Sequence, residues 1–529
     1  MSKCTAVIVD TVSIQSYVFA SNKLKDNIGA SYIIEEQIYK TIMVNVLRKQ
    51  FSTGNLWEKW NNEDEKFEVQ LFKAYSPFEC EIAYIGGGNA MLLFKNDAEV
   101  IKAGENKLVT KFIREYTLEL LQRFPGLKTA FGINLDFNLT SDQFKESRQL
   151  LIADIGRNKN CYHPNVSPVK HGIVEDCPLS NEAEEELFHP YSQTQLVSKS
   201  SVIKMTACDK SQDTLENQFI EELRGLKGAY TFTDDLEMLG QLSEKAYIAI
   251  VHVDGNGIGK RFVDCEDLPK LRELSKQVSE LADRVMKKII THIVKLIDND
   301  KLNNKNGFEI RKISNKLVLP LRPLITAGDD FTFICHGKLG VHLAEKLILF
   351  MNEERVQGKP VAACGGVAII KTHYPFYRAY TLAEELMKAA KKQSRDNEGS
   401  WLSFMISSGG FSGNLENIIH QQFTTPNGIL TASAYRVDEQ ASTMSKLKLG
   451  IKELFTGSDA WPTNKVMQLR DVLRQDEFSQ TSFITETSAR QLKLPEYEGH
   501  SFHKKLWENK FSPYYDIIEL KDFYPDELL

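Results

Sequence analysis

Residues 247–262, YIAIVHVDGNGIGKRF, and residues 321–337, LRPLITAGDDFTFICHG, decide the fold of this 529-residue chain. The first is a β-branched apolar run, Tyr247–Val253, that stops at Asp254 and passes into Gly255-Asn256-Gly257-Ile258-Gly259. The second is a pair of apolar runs joined by Gly328, Asp329 and Asp330, the signature of a hairpin whose glycine supplies a tight turn. Between them, LRELSKQVSELADRVMKKIITHIVKLI (271–297) places its apolar residues at helical spacing. A helix over Val341–Asn352, a strand PVAACGGVAII (360–370), a helix through Ala383–Lys392 and a strand WLSFMI (401–406) follow.

Strand, helix, hairpin, helix, strand is the order of a ferredoxin-like or palm domain. The same order occurs earlier in the chain. TAVIVDTVSIQSYVF (5–19) is a β-branched run ending in Asp10, and EIAYIGGGNAMLLF (81–94) is a hairpin turning at Gly86–Asn89. A helix over Val100–Phe124 and a strand TAFGINLDF (129–137) complete this copy. The expected fold is therefore α+β. It comprises a first palm (1–155), a polar connector (156–242), a second palm (243–410) and a C-terminal helical domain (411–529), the last signalled by SKLKLGIKELF and NKVMQLRDVLRQ.

Composition narrows the function. The net charge of -6, from 65 Lys+Arg against 71 Asp+Glu, excludes a generally basic coat, so any nucleic-acid contact must be local. Arg311, Lys312, Lys316 and Arg322 form one basic stretch, which reads as a solvated face. No apolar run approaches the roughly 18–20 residues that span a bilayer, and the N-terminus is not a signal peptide. Eight scattered cysteines read as reduced thiols, so the expected location is the cytoplasm, with no membrane partner.

Phosphoryl transfer from a triphosphate needs groups that position the reactants and neutralise charge, usually through divalent metals. Mg²⁺ (or Mn²⁺) takes oxygen ligands, with only a few carboxylates from the protein. In a palm the first strand lies beside the hairpin, which brings Asp254, Asp329 and Asp330 together as the candidate catalytic and metal-binding set. Backbone at Gly255, Asn256, Gly257, Gly259 and Gly328, with Lys260 as counter-charge, is suited to approach phosphate oxygens. Taken singly, a Gly-Asp-Asp cluster is most often a polar turn; both motifs at matching points of a palm favour the metal site. Copy one has Asp10 but no carboxylate on its hairpin, so it reads as catalytically degenerate. Gly86, Gly87 and Gly88 there are either a tight turn or a backbone cradle for a second nucleotide.

These residues resemble a known family, the large polymerase/cyclase subunit of type III CRISPR effector complexes, whose palm is shared with GGDEF cyclases. The matching pieces are IQSYVF…KLKDNIGASYIIEE, YIGGGNAMLLF, AYIAIVHVDGNGIGKRF, AGDDFTF, GGVAIIKTHYPFYRAYTLAEELMKAAKK and LTASAYRVDEQASTMSKLKLGIKELF. The resemblance implies conversion of ATP into cyclic or linear oligoadenylate in antiviral defence, with Asp254, Asp329 and Asp330 on the metals and Lys391 near the triphosphate. It implies other effector subunits and guide or target RNA as partners. Three departures stand out. Ala327 replaces the first hairpin glycine, Asn256 replaces an aspartate common in the first-strand loop, and no His-Asp dipeptide of an HD nuclease is present. The family's connector zinc region is only partly represented, by Cys161, His163, His171, Cys177 and Cys208, without a Cys-x-x-Cys pair. Two other functions remain open at this stage: a non-catalytic nucleotide- or RNA-complex-binding scaffold, and a GGDEF-like cyclic dinucleotide synthase.

Overall fold

The computed structural model describes residues 3–51, 54–56, 67–72, 76–96, 104–161, 175–180, 182–183, 187–188, 196–241, 246–407, 413–432, 434–438, 442–457, 460–497 and 500–529. It contains two α+β palms. In the first, β1 (Lys3–Thr11) leads into helix α1 (Leu24–Tyr32), which continues as the π-helical α2 (Ile33–Met43). The hairpin β2 (Cys80–Gly86) and β3 (Asn89–Phe94) follows, then α3 (Lys107–Arg123), β4 (Thr129–Asn138) and α4 (Phe144–Asn158). The sheet order is β2-β3-β1-β4, with Gly54–Asn55 added outside β2. The uninterrupted apolar run of β1 fits a central strand, and residues 4–9 are buried.

The helix expected from Val100 begins instead at Lys107. The Asn106 side chain accepts from the N–H groups of Leu108 and Val109, which caps the helix there. Residues 100–103, part of that expectation, lie outside the described residues. Helix α4 runs across position 155, where the first palm was expected to end. In the connector, α5 (Lys199–Gln218) packs along α1.

The second palm repeats the plan with β5 (Tyr247–Gly255), α6 (Leu268–Asp298), β6 (Leu321–Ala327), β7 (Asp330–His336), α7 (Gly340–Glu353), β8 (Ala363–Lys371), α8 (Phe376–Asp396) and β9 (Trp401–Ile406). Its sheet order is β6-β7-β5-β8-β9, and Tyr435–Arg436 adds an edge strand from the C-terminal region. Asp267 caps the long α6 by accepting from the Lys270 N–H. Lys316–Val318 leaves this palm to pair with Gly228–Thr231, so connector and palm share a small sheet. There the basic stretch departs from a solvated face. Arg322 is buried against Gln212, and Lys316 pairs with Glu216 at 2.8 Å.

Each palm packs against the outer strand of the other's hairpin. Ser31 of α1 donates to the Leu324 carbonyl of β6 at 2.5 Å, and the Thr326 N–H donates to Glu35 of α2 at 3.3 Å. Reciprocally, Arg272 of α6 donates to the Ile82 and Ala83 carbonyls of β2 and to Glu81, at 2.7, 3.0 and 2.7 Å. Arg272 and Glu81 are both fully buried, so each depends on the other for charge compensation. The two hairpins are thereby held against each other's first helices. Where the C-terminal helical domain was expected, helices occupy Thr443–Phe455, Thr463–Val472 and Glu477–Ala489. No helix among the described residues is long and apolar enough to cross a membrane.

Candidate active site

Pairing register sets the site. Asp254, one residue from the end of β5, lies directly opposite Asp330 at the start of β7. Asp329 occupies the turn before it, and the Gly255 N–H donates to the Asp329 carbonyl at 3.0 Å, closing the loop over the strand end. Gly328 has φ +72°, a conformation that favours glycine. Gly255 matters for a different reason: a Cβ there would lie 2.8 Å from the Asp329 Cβ. Only a glycine lets the two segments approach this closely.

Charge is concentrated at this tip. Burial, then the neighbouring Asp254 charge, pushes both Asp329 and Asp330 up to about 7. Lys391 of α8 brings its ammonium onto Asp254 Oδ2 and so stands where a cation is wanted. The inner oxygen of Asp330, Oδ1, is sealed from solvent with no hydrogen bond of its own. His252, two residues before Asp254 and on the same face of β5, brings Nδ1 to 3.3 Å from that oxygen and 2.9 Å from the Thr332 hydroxyl. Burial lowers His252 to about 4, which keeps the ring neutral. An excess of carboxylate oxygens held at raised pKa, one of them orphaned, has the chemistry of a hard divalent-cation site. The ligand set is not closed, however: among the described residues no three His, Cys, Asp or Glu side chains already stand as a metal cage.

The glycine-rich loop divides in two. The Gly255 and Asn256 N–H groups are spent inside the protein, the latter on the Ala362 carbonyl at 2.7 Å. The Asn256 side chain donates to Ser394 at 3.0 Å and approaches the Gly399 carbonyl and Cys364, so it tethers the loop to the end of α8. Gly257, Gly259 and Lys260 are exposed, at the start of the short helix Ile258–Val263.

The first palm answers position for position. Asp10 pairs in register with Asn89, so Gly88-Asn89 stands where the second palm has Asp329-Asp330. The Thr11 N–H donates to the Gly88 carbonyl as Gly255 does to Asp329, and the Tyr39 hydroxyl donates to the same carbonyl at 2.5 Å. Gly87 and Gly88 have φ +59° and +76°, and Gly86 faces Ser275 of α6 across the interface. Lys159, at the end of α4, pairs with Asp10 at 2.5 Å as Lys391 does with Asp254. The first palm thus keeps a neutral Asp–Lys pair and lacks the carboxylate surplus.

Reading the sequence missed Lys159, His252 and Glu35. Lys159 was findable once its helix was recognised as the counterpart of the one carrying Lys391. His252 is one residue in an apolar strand, and Glu35 is near the site only through palm–palm packing. Of the cysteines proposed for zinc, Cys161 is exposed, whereas Cys177 and Cys208 are buried in separate apolar clusters. The Ser198 N–H donates to Cys177. His163 and His171 lie outside the described residues.

Residues 247–398, which carry Asp254, Asp329, Asp330 and Lys391, match the family described as Cas10/Cmr2, second palm domain. No curated protein matches the chain. Among solved structures it is similar to Csm1 in T. onnurineus, at 13% identity and TM-score 0.54, over 99% of this chain and 70% of that one. It is also similar to the Csm1-Csm4 cassette in complex with cA4, at 13% identity and TM-score 0.54, over 98% and 70% of the two chains. A third similar structure is the Csm1-Csm4 cassette in complex with one ATP, at 12% identity and TM-score 0.55, over 99% and 70%. The sequence likeness to the large subunit of type III effectors and the α+β palm architecture are thus both found again in these comparisons.

Proposed function

We propose, from the match of residues 247–398 to the Cas10/Cmr2 second palm domain, that the chain is a metal-dependent nucleotidyltransferase. In this reading it joins ATP into cyclic or linear oligoadenylate in CRISPR-type antiviral defence. The observation that carries the reading is the facing of Asp254 and Asp330 across neighbouring strands with Asp329 beside them on the β6–β7 turn. The first palm supports it by contrast, since the same register there holds Asn89 and Gly88.

In the reaction a ribose hydroxyl oxygen of one nucleotide bonds to the α-phosphorus of another, the bond to pyrophosphate breaks, and the hydroxyl proton is lost. Asp254, Asp329 and Asp330 would hold Mg²⁺ or Mn²⁺, which would supply charge neutralisation and Lewis acidity. Lys391, which pairs with Asp254 in the structure, would be within the site to neutralise triphosphate charge. Gly257, Gly259 and Lys260 face the phosphates at the mouth of the loop. The first palm, with its Asp10–Lys159 pair and the turn Gly86–Gly88, holds the second nucleotide against α6. A Csm4-like subunit, by analogy with the similar cassettes, and the guide or target RNA implied by the family resemblance are the partners this reading expects.

The test is incubation of the purified chain with each labelled NTP and Mg²⁺ or Mn²⁺, with products resolved by mass spectrometry beside Asp329→Ala/Asp330→Ala. Oligoadenylate from the wild type alone is the expected result. Product from GTP but not ATP points to a cyclic dinucleotide synthase. No product with any NTP, with and without a Csm4-like subunit and target RNA, leaves a binding scaffold.

A further inference from the structure

The last helix of each palm reaches across to the other palm, from matching positions. A glycine admits each helix to its own sheet. A Cβ at Gly132 would strike the Leu151 carbonyl and the Ile155 nitrogen, and one at Gly366 the Ala383 carbonyl and the Met387 nitrogen. Leu151 and Ile155 of α4 therefore correspond to Ala383 and Met387 of α8, and the same spacing pairs Lys159 with Lys391. It also pairs Arg148 with Tyr380.

Tyr380 stacks on Phe19, ring centroids 3.8 Å apart, at the end of the short helix Ile14–Val18 that follows β1. Arg148 makes the reverse crossing with different chemistry. It is 8% exposed, and its Nη1 donates at 2.5 Å to the carbonyl of Phe262, in the short helix Ile258–Val263 that follows β5. The last carbonyls of a helix lack donors from within it, and a basic side chain can supply one. A charged donor makes the stronger kind of hydrogen bond. Lys145, one turn earlier on α4, pairs with Asp264 at 3.1 Å, an exposed contact that adds little.

The other ties on this loop come from the second palm itself. Asn256 donates to Ser394, and Arg261 donates to the Val356 and Pro360 carbonyls at 2.8 and 3.0 Å. Gly257, Gly259 and Lys260 stand exposed among these ties. Arg148 thus fixes the far end of the loop, and it does so from a palm whose own hairpin turn carries Asn89 in place of a carboxylate.

We propose that Arg148 is a positioning residue, through which the first palm holds the Gly257–Lys260 stretch of the second palm in place for a nucleotide's phosphates. This rests on the phosphate-facing reading of that stretch. It gives the first palm a part in the reaction that needs no metal of its own.

The experiment compares full chains of wild type, Arg148→Met and Arg148→Lys. Amide hydrogen exchange is followed over residues 256–265, where the Arg261, Asp264 and Cys265 amides are hydrogen-bonded. Calorimetry gives the binding of α,β-methylene-ATP with Mg²⁺, and of Mn²⁺ with no nucleotide present. Methionine fills the space without a donor, whereas lysine keeps the charge and a donor. In the methionine variant, exchange over 256–265 should speed about tenfold and analogue binding weaken about tenfold, with Mn²⁺ binding within about twofold of wild type. Lysine should bring the first two back to within about threefold of wild type. Equal exchange over 256–265 in wild type and the methionine variant overturns the inference, whatever the nucleotide result. Faster exchange throughout both palms, or an equal loss of Mn²⁺ binding, also overturns it, because Arg148 is then a general brace of the fold. Locally faster exchange with analogue binding unchanged removes the phosphate role of the loop and the positioning role with it. No analogue binding by the wild type defeats the nucleotide-transfer reading itself, on which the inference rests. Should the methionine variant misfold, Arg148→Gln, too short to reach Phe262, is read in the same way.

Discussion

Asp330→Asn should make the protein more stable at pH 8 in the absence of divalent cations. Asp330 titrates at 3.8 in an unfolded chain and is pushed up to about 7 in the fold, first by burial and then by Asp254. The sign follows from linkage. Below pH 3.8 both states hold the proton and nothing is lost. Between 3.8 and about 7 the unfolded chain ionises while the folded site resists, so stability falls as pH rises, and above about 7 the loss is complete. In a dry site a difference of this size corresponds to about 4 kcal/mol. The side chain is 39% exposed and lies near Lys391, so solvent and that ammonium screen it to about 1–2 kcal/mol. If the second palm melts as a unit, the variant gains about 2–8 °C at pH 8 and almost nothing at pH 4. Differential scanning calorimetry at both pH values, with EDTA and then with Mg²⁺, reads this directly. Mg²⁺ should raise the wild type and leave the variant nearly unmoved. A variant no more stable than wild type at pH 8, or a gap of equal size at pH 4, would refute the claim that carboxylate crowding strains this tip.

Gly255→Ala should leave the fold intact but displace Asp329, whose Cβ lies 2.8 Å from the added methyl. A loss of about 100-fold in nucleotide turnover is expected from a shift of this kind, with the circular dichroism spectrum unchanged. Lys391→Met removes the ammonium from Asp254, so Mn²⁺ binding without nucleotide should tighten while turnover of NTP falls; weaker Mn²⁺ binding would count against the displacement. Arg272→Ala strands Glu81 in the palm–palm interface and should cost about 3–5 kcal/mol in urea denaturation, whereas Arg272→Met/Glu81→Leu should recover most of it.

Much of the palm plan was legible because it is local. The runs that became β1 and β5 are apolar with β-branched residues, and the long helix after Asp267 shows its stripe at Leu271, Leu274, Val278 and Leu281 in plain spacing. The turn at Gly328 and the absence of carboxylate from the turn at Gly86–Asn89 are also matters of short-range chemistry. The start of α3 was misjudged because the apolar content before Lys107 outweighed a single capping asparagine. Arg322 was misjudged because it was grouped with the charged Arg311, Lys312 and Lys316, although it sits within the apolar run Leu317–Ile325 and its neighbours in space, Gln212 and Ser211, come from the connector helix.

By itself the sequence determined the two palms, their order, and which of them carries three aspartates, since strand and helix periods and turn residues are written into adjacent positions. Tertiary structure alone decided that Asp254 faces Asp330, that Lys391 and Lys159 play the same part in two palms, and that His252 stands behind the carboxylate tip. It also decided that each palm packs against the outer strand of the other's hairpin through Ser31, Glu35 and Arg272. The physical reason is that strand register and helix docking are settled by contacts between residues far apart in the chain. No local propensity encodes which distant edge a buried arginine or an orphaned carboxylate oxygen will meet.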